Sequence, residues 1–251
     1  TATTWMFRAG PAASLAAVLI ALLLVPMGGS LPAPLAFSGD VVLFAYLLGA
    51  GRFFTVLAAL DTGSSFEGMG AAREVTFACL AEPALFLGLL VLAKLSGSLS
   101  LTGMLQSPIA SQWSLAGAAL VLVFVSWFVV LLAENSRIPF DDPNTHLELT
   151  MIHEVMVLDH SGPGLGLVLY GAAVKLFLFG ALVVSIAVPF STGNPWADWG
   201  LFLVAISLLM VAVGVVESVM ARLRLLHVPR LLVAACVLAA FGMILLASRS
   251  S

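Results

Sequence analysis

The chain has 251 residues, of which 61% are hydrophobic and only 9% charged, with a formal net charge of −3 and a mean hydropathy of +1.14. A soluble domain of this length carries about 25% charged residues, so the composition excludes an ordinary water-soluble enzyme, and the net charge gives no pointer to nucleic acid. Cys79 and Cys236 stand alone in apolar segments, without the spacing of a disulfide framework, a zinc site or an iron–sulfur cluster.

Long apolar runs separated by short polar stretches predict seven membrane spans. The first covers roughly Pro11–Met27 and closes at Gly28-Gly29. The second, Asp40–Leu60, is apolar except for Arg52 near its centre. Ala45, Gly49, Arg52, Thr55 and Ala59 share one of its faces, a small-residue seam suited to close helix packing. Arg52 must therefore face protein or water and needs an acidic partner. Asp61 to Glu74 reads as a polar, glycine-rich connection containing Glu67. The third span, about Val75–Lys94, carries Glu82 followed by Pro83 near its start. A neutral loop, Leu95–Gln112, leads to the fourth span, Trp113–Ala133, which delivers Glu134 at its end. Leu165–Val188 is the fifth span, with Lys175 two turns in. The sixth, Gly200–Met220, holds Glu217 near its end, ahead of Arg222, Arg224, His227 and Arg230. Leu231–Ala247 is the last.

Between the fourth and fifth spans lies the segment that gathers the ionisable groups, about 134–163. It holds Glu134, Arg137, Asp141, Asp142, Glu148, Glu154 and Asp159, with three of the four histidines, His146, His153 and His160. Asp142 suits an N-cap and Pro143 a first helical position. A helix from there to about Leu158, at roughly 100° per residue, puts His146, Thr150, His153 and Glu154 on one polar face. Leu147, Met151, Ile152, Val155, Met156 and Leu158 cover the opposite arc. Glu148 falls in the middle of that apolar arc, and Asp159 lands nearly above it. A carboxylate on an apolar face is paired or has a raised pKa, as a proton relay requires. A solvated amphipathic loop helix is the plainer reading, and the phase of Glu148 argues against it.

The expected class is thus an all-α polytopic transmembrane bundle, a single domain with a long functional loop. If the spans alternate, Arg8, Arg73, Arg137, Arg222, Arg224 and Arg230 share one side, which the positive-inside rule makes cytoplasmic. The central segment, Asp61, Glu67, Glu74 and the span ends bearing Glu82, Glu134 and Glu217 fall on that side too. Acids converging there point to docking or proton exchange.

Ala133-Glu134-Asn135-Ser136-Arg137-Ile138-Pro139-Phe140-Asp141, followed by Glu148-Leu149, resembles the loop of the subunit-1 (H-type) membrane subunit of respiratory complex I. It is still more similar to the corresponding subunit of membrane-bound, energy-converting nickel–iron hydrogenases, including the formate hydrogenlyase and hydrogenase-4 types. Gly68-Met69-Gly70-Ala71-Ala72-Arg73-Glu74 through Leu80-Ala81-Glu82-Pro83, and Glu217-Ser218-Val219-Met220-Ala221-Arg222-Leu223-Arg224 with Pro229-Arg230, resemble two further motifs of that family. The family usually has eight spans. Trp5-Met6-Phe7-Arg8 looks like the end of the loop after its first span, so that span is expected to be missing here. Bulky Met151 and Ile152 stand where quinone-using members carry small residues, and histidines replace part of an acid cluster. These departures favour the hydrogenase branch over a quinone site.

The resemblance implies a membrane subunit in a bacterial or archaeal cytoplasmic membrane, performing no bond chemistry and holding no metal or cofactor. A nickel–iron centre and iron–sulfur clusters would sit on partners: hydrogenase-like large and small subunits, iron–sulfur subunits and antiporter-like membrane subunits. Glu134, Asp141, Glu148, Glu154 and Asp159 would change protonation. Glu82, Lys175 and Glu217 would carry that change onward, and Arg52, Arg73 and Arg137 would serve as charge partners. Asp61, Glu67, Glu74, His146, His153, His160, Arg222 and Arg224 would meet the peripheral arm. Two unrelated readings fit worse. A zincin needs His-Glu-x-x-His, whereas the position four after His153 is Val157. A free-standing transporter would show paired broken spans in related halves, and none is evident.

Overall fold

The computed structural model describes residues 4–28, 31–106, 109–141, 151–188 and 192–249, and within these it is all-helical. In chain order the helices are α1 (Trp5–Leu24), α2 (Asp40–Asp61), α3 (Ser65–Ser96), α4 (Leu101–Gln106), α5 (Ile109–Glu134), α6 (His153–Met156), α7 (Gly162–Ala187), α8 (Pro195–Val219) and α9 (Val228–Arg249). Seven of them, all but α4 and α6, are long and apolar enough to cross a membrane. Local chemistry sets several ends. Thr4 caps α1 by accepting from the Met6 N–H, and Asn194 caps α8 by accepting from Trp196, with Pro195 in the first turn. Gly97, at φ 66°, closes α3.

Three expectations change. The third helix begins at Ser65, ten residues before the predicted span, so most of the supposed Asp61–Glu74 connection is helical. Gly70 there serves packing: a Cβ on it would collide with Val155 Cγ1 and lie 2.9 Å from the Ile152 carbonyl. The neutral loop after α3 contains α4, fixed by buried Asp40, whose carboxylate accepts from Ser100 Oγ (2.8 Å) and Leu101 N (2.7 Å). Finally, the helix expected to run unbroken to Leu158 does not pass through Met151 and Ile152, and only the single turn α6 follows. The Asp141 carboxylate accepts from the N–H groups of Ile152 (2.9 Å) and His153 (3.0 Å), so it starts a new helix there. Residues 142–150, with Asp142, Pro143, His146 and Glu148, lie outside the described residues.

The bundle is built around α9, which packs between α3 and α5, and around α1, which packs on α2 and α7. Trp127 of α5 seats its indole over Gly88 of α3, where a Cβ would collide with the indole nitrogen. Close approach of this kind is how membrane helices associate when apolar burial gives no preference for protein over lipid. The small-residue seam on α2 divides. Ala59 is buried and Thr55 donates to Ser14 Oγ of α1 (3.1 Å), whereas Gly49 faces open space; Gly51, outside the predicted seam, is also buried beside Ser14. The outer faces of α2 and α8 remain exposed.

Candidate functional site

Arg52 lies past the middle of α2, and four charged side chains from three other helices meet it or its partner. It donates to Glu82 of α3 and, through Nη2, to both oxygens of Glu134 at the end of α5 (2.7 Å each). Glu74 of α3 lies 3.9 Å from its Nε, and Lys175 of α7 reaches Glu134 at 2.9 Å. The sequence demanded an acid for Arg52; the fold supplies three, and gives Lys175 the role of Glu134's second cation. Among the described residues, three carboxylates against two cations leave the cluster with a formal charge of −1. One proton taken up would neutralise it. Removing such groups from water costs several kcal/mol per ion, about what close pairing returns, so the network holds only as a set.

A cavity of about 80 Å³ opens beside the cluster, walled by α1, α2, α7 and the turn after α5. Ser14, Thr55, Asn135, Ser136 and His153 give it a polar lining, and Arg52 and Glu134 form part of its wall. Arg52 Nε and Asn135 Oδ1 are buried without a hydrogen-bond partner among the described residues. A cavity of that size and polarity suits several water molecules. None of Ser14, Thr55, Asn135 and Ser136 was a candidate site residue from the sequence, where Thr55 was read only as part of a packing seam. The signal for the last two was their position directly after Glu134, where the chain turns through Ser136 at φ 49°.

Most of the remaining candidates lie outside the lining of this cavity. Asp141 is buried and joins the central segment to the α8–α9 connection through Arg222 (3.2 Å), while the Leu223 N–H donates to the Pro139 carbonyl (3.0 Å). With its oxygens committed to Arg222 and two backbone N–H groups, Asp141 is a crosslink in this fold. Arg137 and Glu217 make a looser, half-exposed pair at 3.5 Å. Arg73 donates to the Met151 carbonyl (3.0 Å) and the Met69 sulfur, so its described contacts are not with a carboxylate. Glu154 is half-buried on α6 and does not line the cavity.

The side chains expected to face a docked arm are mostly engaged inside the chain. Asp61 accepts from the Thr4 N–H (3.1 Å), Glu74 belongs to the Arg52 cluster, and His153 lines the cavity. Glu67 is buried, accepting from Thr62 Oγ1 and from the N–H of Asp159 (3.1 Å), a residue whose own side chain is exposed. His160 is buried and stacks on Phe7 with ring centroids 4.1 Å apart. Burial pushes its imidazole below the ordinary pKa of 6.5, against an opposing pull from the Asp159 carboxylate. Among the described members of this group only Arg224 is exposed, and Arg222 is half-buried. His146 lies outside the described residues.

Comparison with known proteins agrees with this architecture. A family model described as NADH dehydrogenase matches residues 1–248. Hydrogenase-4 component C of Escherichia coli (strain K12) is 32% identical over 232 residues, 90% of this chain and 72% of the relative. Formate hydrogenlyase subunit 4 of the same organism is 32% identical over 240 residues, 92% and 75% of the two chains. The H-type subunit of the NADH-quinone oxidoreductase of Rubrobacter xylanophilus is 30% identical over 148 residues, only 59% of this chain and 44% of the relative. In structure, a chain of the membrane-bound sulfane sulfur reductase, an archaeal respiratory membrane complex, superposes with a TM-score of 0.80 at 21% identity, covering 96% of this chain and 79% of that one. With residues 1–248 matched and its nearer similarity on the hydrogenase side, this chain belongs to the NADH dehydrogenase (complex I subunit-1) family of multi-pass membrane proteins.

Proposed function

We propose that this chain is the membrane subunit through which electron transfer in a docked, hydrogenase-type arm drives proton or Na+ movement, with the Arg52–Glu134 cluster as the coupling point. The observation that carries the reading is a charge-imbalanced network of Glu74, Glu82, Glu134, Arg52 and Lys175 beside a polar cavity framed by the central segment. Such a network changes charge state when its surroundings shift, and the central segment is the element a docked arm would shift. Similarity over nine-tenths of the chain to two hydrogenase-complex subunits supports the choice of arm. The chain itself performs no bond chemistry in this reading. Nickel–iron and iron–sulfur chemistry belongs to the large, small and iron–sulfur subunits, and ion translocation continues into antiporter-like membrane subunits. Glu148, Glu154 and Asp159 would pass charge changes from the segment's outer side, with Glu217 and Arg137 beside them. The arginine-rich end would face the cytoplasm of a bacterial or archaeal cell.

A quinone-site subunit of a respiratory complex I is the alternative, and it draws on a match covering less of both chains. The test is purification of the tagged chain in mild detergent, followed by reconstitution of whatever complex is obtained. The proposal expects a nickel-containing large subunit to copurify, and Glu82→Gln to retain the arm and its electron transfer while losing ion movement. Nickel-free partners that reduce quinone would favour the alternative. Unchanged ion movement in Glu82→Gln would remove the cluster from the path.

A further inference from the structure

α2 packs closely on α1 but touches α3 only sparsely, and between α2 and α3 a lateral groove of about 830 Å³ remains. Its walls are apolar, formed by residues such as Ala45, Phe53, Phe86 and Leu90, while Arg52 and Glu82 lie at its floor. A Cβ built on Gly49 meets nothing within 4 Å, so the wall there is open. The Glu82 side chain is 41% exposed although it sits mid-way along a helix about 48 Å long at 1.5 Å per residue. A carboxylate open to the side of a membrane helix is costly unless something polar covers it.

We propose that this groove receives a transmembrane helix of a neighbouring subunit, which brings one basic side chain to Glu82. The inference rests on the reading of this chain as a complex subunit and adds to it the partner surface and its chemistry. Ala45 and Gly49 let a second helix axis approach at the 8–10 Å typical of packed helices. A lipid tail would match the walls but leave Glu82 uncovered. Charge decides the side chain. The cluster carries one carboxylate more than it has cations, so a lysine or arginine completes the balance where a neutral donor would not. A proton and that basic group then compete for the same surplus charge, which links ion uptake to the contact between subunits.

The test places a benzophenone amino acid at Tyr46 or at Phe86, both on the groove's rim and exposed, in the tagged chain within its intact complex. After illumination, both positions are expected to crosslink to one transmembrane helix of a copurifying subunit, with a lysine or arginine within one turn of the crosslink. Gly49→Leu should cut that crosslink about tenfold, the scale of overpacking an interface, while the melting temperature of the chain is unchanged. Glu82→Gln and removal of the partner's basic group should be non-additive in retention of that subunit. Adducts to phospholipid alone, or to a helix without a basic residue, in a complex that still copurifies would overturn the groove proposal and leave the functional reading standing. A chain that purifies alone would overturn both.

Discussion

Glu134 is held by two cations and is almost fully enclosed, whereas Glu217 shares one half-exposed contact with Arg137. The difference sets their costs. Glu134→Gln takes from Lys175 its carboxylate and from Arg52 one of three, and should lower unfolding stability in detergent by about 3–5 kcal/mol, as broken buried pairs do. Glu217→Gln should cost under about 1 kcal/mol, the range of solvent-screened pairs. Equal losses from both would contradict the burial assigned to them. His160 supplies a pH dependence of definite sign. Its folded pKa is depressed, so the fold favours the neutral ring, and that stability is present above the ordinary value of 6.5 and lost as pH falls through the folded pKa. Thermal melts should therefore fall on acidification, and His160→Phe, which keeps the stack on Phe7, should flatten that limb. The need of Arg52 for an acid was legible in the sequence because a mid-span arginine has few options. The full set of acids was not, since Glu74 joins the cluster from a stretch of α3 whose glycines look like a loop.

Those glycines carry the lesson at the level of elements. Gly68 and Gly70 read as breakers by composition, yet at Gly70 the missing side chain admits α6 against α3. Gly70→Val should cost about 1–3 kcal/mol by overpacking and should raise protease access to the segment 134–163. Gly49→Ala, facing open space, should leave both measurements unchanged. Limited proteolysis beside thermal melts would separate the two; a harmless Gly70→Val would mean that α6 does not rest there. The seven apolar spans were legible because each carries its own signal in twenty or so residues. α4 and the break at Met151 and Ile152 were not, since both depend on buried aspartates, Asp40 and Asp141, that start helices far along the chain. Asp198, buried in the first turn of α8, makes a local closure that the sequence did not mark, accepting from the Thr192 N–H and hydroxyl at 2.7 Å.

Taken whole, the molecule gathers Arg8, Arg73, Arg137, Arg222, Arg224 and Arg230 toward one end, with Lys94 and Arg249 closing helices toward the other; at the first end Thr4 is tied to Asp61, Glu67 to Asp159 and Asp141 to Arg222. An Arg224→Cys variant should react with a membrane-impermeant maleimide in inverted vesicles and not in intact cells, as the positive-inside rule requires. Labelling in intact cells would invert the assigned topology. That the acids would share an end was readable from span alternation; that five charges would form one network was not, because it depends on which faces α2, α3, α5 and α7 turn toward each other. The network also has a history in time. Arg52 leaves the ribosome 30 residues before Glu82 and 82 before Glu134. At about 5–20 residues per second, its main partner arrives roughly 4–16 s later. During that interval α2 carries a guanidinium that is costly in the hydrocarbon interior, so its release from the insertion machinery is expected to wait on α3 and then α5. On that expectation, one arginine paces the biogenesis of this chain.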